Sequence, residues 1–133
     1  MSLTRRALLL AAPASVVFTR SAMAQSTSAT GLILVGASWC PVCKQAAPML
    51  ALFAERHAIP VIVASHDQRP IEPFAHFVDG RTHPLAAGVT AYPTTFVFSS
   101  VADGVVGGIE GYRDPQWYFT NLLALVRAAE GLT

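Results

Sequence analysis

The chain's two cysteines, Cys40 and Cys43, are separated by Pro41 and Val42. Two thiols at this spacing serve thiol–disulfide exchange, a short structural bridge, or half of a zinc site. Exchange needs an accessible, partly ionised attacking thiol and a second thiol that releases the mixed disulfide. The apolar run from Gly31 to Gly36 reads as a buried strand, and Gln45 to Phe53 reads as a helix. The pair therefore sits at a strand-to-helix turn. Cys40 falls at the helix N-terminus, where unpaired N–H groups and the helix dipole favour a thiolate. Pro41 has no N–H, so fewer backbone donors compete there. Cys43, one turn into the helix, fits the resolving role. A zinc site would need two more ligands from His57, His66, His76 and His83, whose scatter matches no finger-like spacing. No metal and no other cofactor is expected. A structural bridge stays open on these residues alone, because exported cysteines are usually paired.

Export is itself written near the start. Thr4-Arg5-Arg6 is a basic segment, Ala7 to Phe18 is apolar, and Ala22-Met23-Ala24 has the small-x-small form of a cleavage site. Residues 1–24 are expected to be a cleavable signal, 25–30 a flexible tether, and 31–133 one small domain. The paired arginines are similar to a twin-arginine signal. The apolar stretch is shorter than the roughly 20 residues that span a bilayer, so no stable membrane insertion is expected after cleavage. The expected location is the periplasm, where disulfides persist. A formal net charge of +1 and no basic stripe give no support for nucleic acid or anionic lipid as partners.

The remaining elements follow from periodicity and turn signals. A helix over Cys43 to about His57 carries Ala46, Met49, Leu50 and Phe53 on one face. Ile59–Ser65 is a second buried strand, and Ile71–Val78 a short helix. Thr94–Ser99 and Val105–Ile109 form a hairpin across Asp103-Gly104. Asp114 caps a last helix with Pro115 in its first turn and Tyr118, Leu122, Leu125, Val126 and Ala129 on one face; Gly131 ends it. The order β-α-β-α-β-β-α predicts an α/β fold, a mixed four-stranded sheet with helices on both faces.

Taken together, Trp39-Cys40-Pro41-Val42-Cys43, Pro48, Tyr92-Pro93-Thr94 and Gly111 resemble the thioredoxin-fold family across the whole domain. The chain lacks that family's first strand and helix, leaving the minimal core seen in glutaredoxins. Leu34 stands where thioredoxin carries a buried aspartate. The resemblance implies catalytic Cys40 and Cys43, and a cis Tyr92–Pro93 bond beside them. It also implies a substrate groove of Trp39, Pro41, Tyr92, Pro93, Thr94 and Gly111, in which a peptide pairs as an added strand. The implied activity is a periplasmic thiol-disulfide oxidoreductase that reduces a disulfide-bearing periplasmic protein and draws electrons from a membrane thiol donor. The sulfur-oxidation-associated periplasmic thioredoxins are the narrower resemblance. A reductase is favoured because the Pro41-Val42 dipeptide holds no histidine and no helical insertion is present. An oxidase or isomerase, and a non-catalytic binding module, are the alternatives. A monomer is expected. Four surface features stay open at this level. Trp39 either shields the thiols or packs in the core. Lys44 either supports a thiolate or is an ordinary surface residue. His66-Asp67 either moves protons or is an ordinary loop, the reading favoured here. Trp117, Tyr118 and Phe119 read as packing of the last helix, with part left for a partner.

Overall fold

The computed structural model describes residues 29–131; the predicted signal, most of the predicted tether and residues 132–133 lie outside the described residues. The central strand is β1 (Thr30–Gly36), whose first residue falls within the predicted tether. Its side chains alternate strictly. Leu32 and Leu34 join the larger core, while Ile33 and Val35 join a smaller one on the opposite face. β1 pairs parallel with β2 (Val61–Ser65) and antiparallel with β4 (Thr94–Ser99). β5 (Gly104–Glu110) closes a hairpin with β4 through Asp103, which takes a left-handed φ of 50°. The sheet order is β3-β2-β1-β4-β5, where β3 is the two-residue strand Val78–Asp79. The architecture is the α/β thioredoxin-like fold that the sequence implies.

Helix α1 (Pro41–His57) starts at Cys40 and buries Cys43, Ala46, Ala47, Leu50, Phe53 and Ala54. Pro48 lies inside it, on the exposed side, where its missing N–H leaves the Lys44 carbonyl without the usual helical donor. Helix α2 (Pro115–Glu130) is capped by Asp114, whose carboxylate accepts from the Trp117 N–H at 2.8 Å. Tyr118, Leu122, Val126 and Ala129 form its buried stripe. Gly131 ends it with a right-handed φ of −68°, so the glycine is not used for a left-handed cap.

Three details correct the sequence reading. The helix expected over Ile71–Val78 is replaced by turns, and Val78–Asp79 add a fifth strand to the four expected. Pro70 precedes that segment and Pro73 lies within it, and the Glu72–Pro73 bond is cis. A residue before proline is pushed away from helical geometry, which breaks the apolar period that suggested a helix. Ile71 is still fully buried and Phe74 packs on the core, so the segment is anchored by side chains. Nor do helices flank both faces. α1 and α2 pack against each other on one face, and Leu85, Ala86 and Val89 from the turn-rich segment after β3 cover the other. With only two helices available, irregular chain has to bury Ile33 and Val35.

The larger core contains one polar pair. The Tyr118 hydroxyl and Thr95 Oγ1 lie 2.6 Å apart, and both residues are fully buried. Thr95 is the register partner of Leu34. A buried hydroxyl stripped of its partner costs about 1–3 kcal/mol, whereas removing both groups together is nearly neutral. Tyr118→Phe should therefore lower the urea midpoint by an amount equivalent to about 1–2 kcal/mol. Adding Thr95→Val should recover part of the loss; a double variant as weak as the sum of the two singles contradicts this account.

Candidate active site

Cys40 is the N-cap of α1, with extended backbone (φ −76°, ψ 117°), and its Sγ accepts from the Cys43 N–H at 3.3 Å. The Cys40 N–H donates to the Ala37 carbonyl at 3.2 Å, closing the turn between β1 and the helix. Both thiols are free in this structure. Cys40 retains 6% of its surface and Cys43 none. Burial pushes the Cys43 thiol up to about 12, and its hydrogen bond to Cys40 and the charge Cys40 can carry push the same way; backbone N–H groups at Ala37 and Cys43 oppose them. The two thiols are thus unequal in access, and the inner one is held protonated.

Cys43 can sit this deep because β1 ends in glycine. A Cβ at Gly36 would lie 2.8 Å from the Cys43 Sγ and 3.3 Å from Ile71 Cδ1. Sequence reasoning placed Gly36 in the strand and missed this contact; a glycine closing an apolar strand before Cys-x-x-Cys was the available signal.

The other wall comes from β4. The Tyr92–Pro93 bond is cis, and the Tyr92 carbonyl lies 3.9 Å from the Cys40 Sγ, within reach of the thiol as donor. Pro93 is buried, and its carbonyl accepts from the Gly111 N–H at 2.7 Å. Gly111 has φ +80°, a conformation that favours glycine, and so can turn this N–H inward at the end of β5. Thr94 Oγ1 donates to the Ala91 carbonyl at 2.7 Å, bracing the same loop. Pro41 is exposed at the start of α1. Trp39 is 60% exposed and meets the Tyr92 ring edge-on at 6.3 Å. That exposure rules out the core-packing reading of Trp39.

His66 and Asp67, favoured above as an ordinary loop, also reach the site. The His66 ring lies 5.7 Å from that of Tyr92. Asp67 accepts from the Ser38 N–H at 3.0 Å, from the Ser38 hydroxyl, and from the Ser65 hydroxyl at 2.9 Å. Desolvation works to raise its carboxyl, but these bonds outweigh it and hold the group at about 2. A carboxylate held so low is a poor proton carrier near neutral pH. The signal for this contact lay in the strand order. β1 and β2 are parallel with Gly36 opposite Ser65, so two residues further on, Ser38 faces Asp67. Lys44 is exposed and, with Ser38, Pro48, Ile71 and Phe74, lines an adjoining groove of about 1000 Å³. Among the described residues, no group of three or more His, Cys, Asp or Glu side chains is placed to hold a metal. No helix among them is long and apolar enough to cross a membrane.

A family model described as "TraF: F plasmid transfer operon protein" matches residues 10–107. The chain is also similar to solved structures. With a protein described as the thiol:disulfide interchange protein DsbE from Chlorobium tepidum it shares 21% identity, over 78% of this chain and 80% of that one, at a TM-score of 0.58. With thioredoxin f from spinach chloroplast it shares 21% identity, over 76% and 70% of the two chains, at 0.53. With the periplasmic thioredoxin SoxS from Paracoccus pantotrophus it shares 24% identity, over 75% and 98%, at 0.50. These likenesses establish the thioredoxin fold. A comparison with curated proteins gives no match.

Two outcomes follow from the inequality of the thiols. In the reduced protein, iodoacetamide near pH 7.5 should modify Cys40 at least about tenfold faster than Cys43, as read by peptide mass spectrometry. Second, Cys43 titrates at an ordinary thiol value when unfolded and near 12 when folded. The raised folded value contributes stability that is complete below the unfolded value and is lost as pH rises through the window from 9.0 to about 12. Melting temperatures across that window should fall more for the reduced than for the oxidised protein, in which Cys43 has no thiol to ionise. Parallel curves for the two forms would refute the assignment.

Proposed function

We propose that this chain, which belongs to the TraF family, is a thiol-disulfide oxidoreductase that reduces disulfides of a partner protein in the periplasm. The observation that carries this reading is the placement of Cys40. It caps a helix, its sulfur receives the Cys43 N–H, and it lies beside the Tyr92 carbonyl with a small part of its surface still open to solvent. A structural bridge requires none of these.

The steps follow from the geometry. The Cys40 thiolate attacks one sulfur of the partner's disulfide; that bond breaks, and the departing sulfur leaves as a thiolate and takes a proton. Cys40 is now in a mixed disulfide and carries no charge, which removes one of the influences that kept Cys43 protonated. Cys43 loses its proton and attacks the Cys40 Sγ, and the partner's second sulfur leaves and is protonated. The partner gains two electrons and two protons, and Cys40 and Cys43 end as a disulfide. A membrane thiol donor of the same chemistry then reduces that disulfide, closing the cycle. Trp39, Tyr92, Pro93, Thr94 and Gly111 hold the partner's extended segment against Cys40. Strand pairing to the Tyr92 backbone aligns it. Pro41 leaves the approach free of a competing donor. The export signal read in residues 1–24, with its twin-arginine character, delivers the domain to the periplasm. The likeness to periplasmic SoxS supports this setting.

The test is the reduction potential of the pair together with single-cysteine variants. A potential near −270 mV, about that of thioredoxin, supports a reductase. One near about −120 mV makes the protein an oxidant and reverses the direction of flow. Cys40→Ser should abolish turnover of a protein disulfide. Cys43→Ser should accumulate a mixed disulfide with the partner, released by dithiothreitol. Turnover that survives Cys40→Ser refutes the proposal.

A further inference from the structure

The segment after β2 holds a group that these steps do not use. Asp67 takes three hydrogen bonds, two of them from Ser38, which lies two residues before Cys40. Its third partner is anchored. Ser65 is fully buried at the end of β2, and its Oγ also lies 2.7 Å from the Arg69 carbonyl and 3.2 Å from the Arg69 N–H. The backbone link between the two strands continues only as far as His66, whose N–H donates to the Gly36 carbonyl at 2.8 Å. Asp67 extends that link by one further step through its side chain. Beyond Ser38 the chain crosses the exposed Trp39 and enters Cys40, whose N–H is held by the Ala37 carbonyl. The turn that presents the outer sulfur is therefore fastened from both sides, by Ala37 within the turn and by Asp67 from the neighbouring strand.

We propose that Asp67 is a positioning residue for Cys40, tying Ser38 to the end of β2 and thereby fixing the turn that sets the Cys40 sulfur against the Cys43 N–H. The inference rests on the proposed role of Cys40 as the attacking thiol. Bonds to an ionised carboxylate are among the stronger hydrogen bonds, and two of them fall on one residue of a short turn. The carboxyl is held at about 2, so the fastening persists across the whole neutral range. When it is released, the turn gains freedom, the sulfur spends less time against the Cys43 N–H, and its thiolate loses a donor. Loss of the carboxylate's charge acts in the opposite direction, since a nearby anion disfavours a second one. The sign of the effect thus separates positioning from simple electrostatics.

The experiment measures iodoacetamide modification of Cys40 against pH in the reduced mature protein. It compares the unaltered chain with Asp67→Ala, Asp67→Asn and Ser38→Ala. Asp67→Ala should slow Cys40 at pH 7 by about three- to tenfold, leave the high-pH plateau unchanged, and so move the profile to higher pH. Asp67→Asn keeps an oxygen for the Ser38 N–H and should restore most of the rate. Ser38→Ala keeps the charge and loses the hydroxyl bond, and should shift the profile in the same direction by less. It supplies the readout if Asp67→Ala does not fold. Profiles that stay in place, or that move to lower pH in Asp67→Ala, overturn this inference while leaving the proposed function standing. An unaltered protein in which Cys40 reacts no faster than Cys43 overturns both.

Discussion

Everything at this site depends on β1 lying in the middle of the sheet with a parallel neighbour on one side and an antiparallel one on the other. Parallel pairing with β2 puts Gly36 opposite Ser65, so both strands deliver their following residues to the same end. Antiparallel pairing with β4 puts Val35 opposite Thr94, so β4 starts at that end, immediately after Pro93. The hairpin then returns β5, with Glu110 opposite Thr94 and Gly111 next in line. Four chain segments converge there without any one of them encoding the site. A slip of one residue in either pairing would turn Leu32 and Leu34 away from the helices, so burial of the two cores fixes the register and the register fixes the site.

The chemistry arises from how differently that frame treats two identical side chains. Cys40 stands outside the helix at its cap, and Cys43 stands inside against Gly36 and Ile71. Three residues of helix are enough to take a thiol from slight exposure to full burial. Burial alone would make the inner thiol inert. In the exchange proposed above it stays useful because its neighbour is the one sulfur it has to attack, and its N–H already points there. Proximity stands in for the intrinsic reactivity that burial removes.

Much of this was legible in the sequence, and the exceptions share a cause. The strand, the helix and the hairpin flanking the two cysteines could be read because period, cap and turn residues agreed, as with Asp114 and Pro115 ahead of α2. Residues 71–78 misled because Ile71, Phe74 and Val78 have helical spacing while Pro73 forbids the helix, and a local backbone restriction overrode a side-chain pattern. The covering of the second face was not legible, because Leu85, Ala86 and Val89 lie in a short stretch of turns that forms no regular element; they are buried because β1 has a second apolar side. Cys40 and Cys43 announce themselves by type and spacing. Gly36, Ser38 and Asp67 do not, because their part in the site depends on which strand lies beside which.

The position beneath the inner thiol shows how the fold can keep its geometry while changing its means. In the family this chain resembles, a buried carboxylate occupies the strand before the motif. Here that place belongs to Leu34, and the polar groups at this level of the core are the hydroxyls of Thr95 and Tyr118, bound to each other. A hydroxyl pair is neutral and satisfied, so it adds no charge beside Cys43 and imposes no desolvation penalty of the kind a buried carboxylate brings. Burial also pushes the Tyr118 hydroxyl well above its usual range, so it is a proton donor at any ordinary pH and not a base. Neither Leu34 nor the Thr95–Tyr118 pair can therefore take the proton from Cys43, and in the exchange proposed above it leaves by another route.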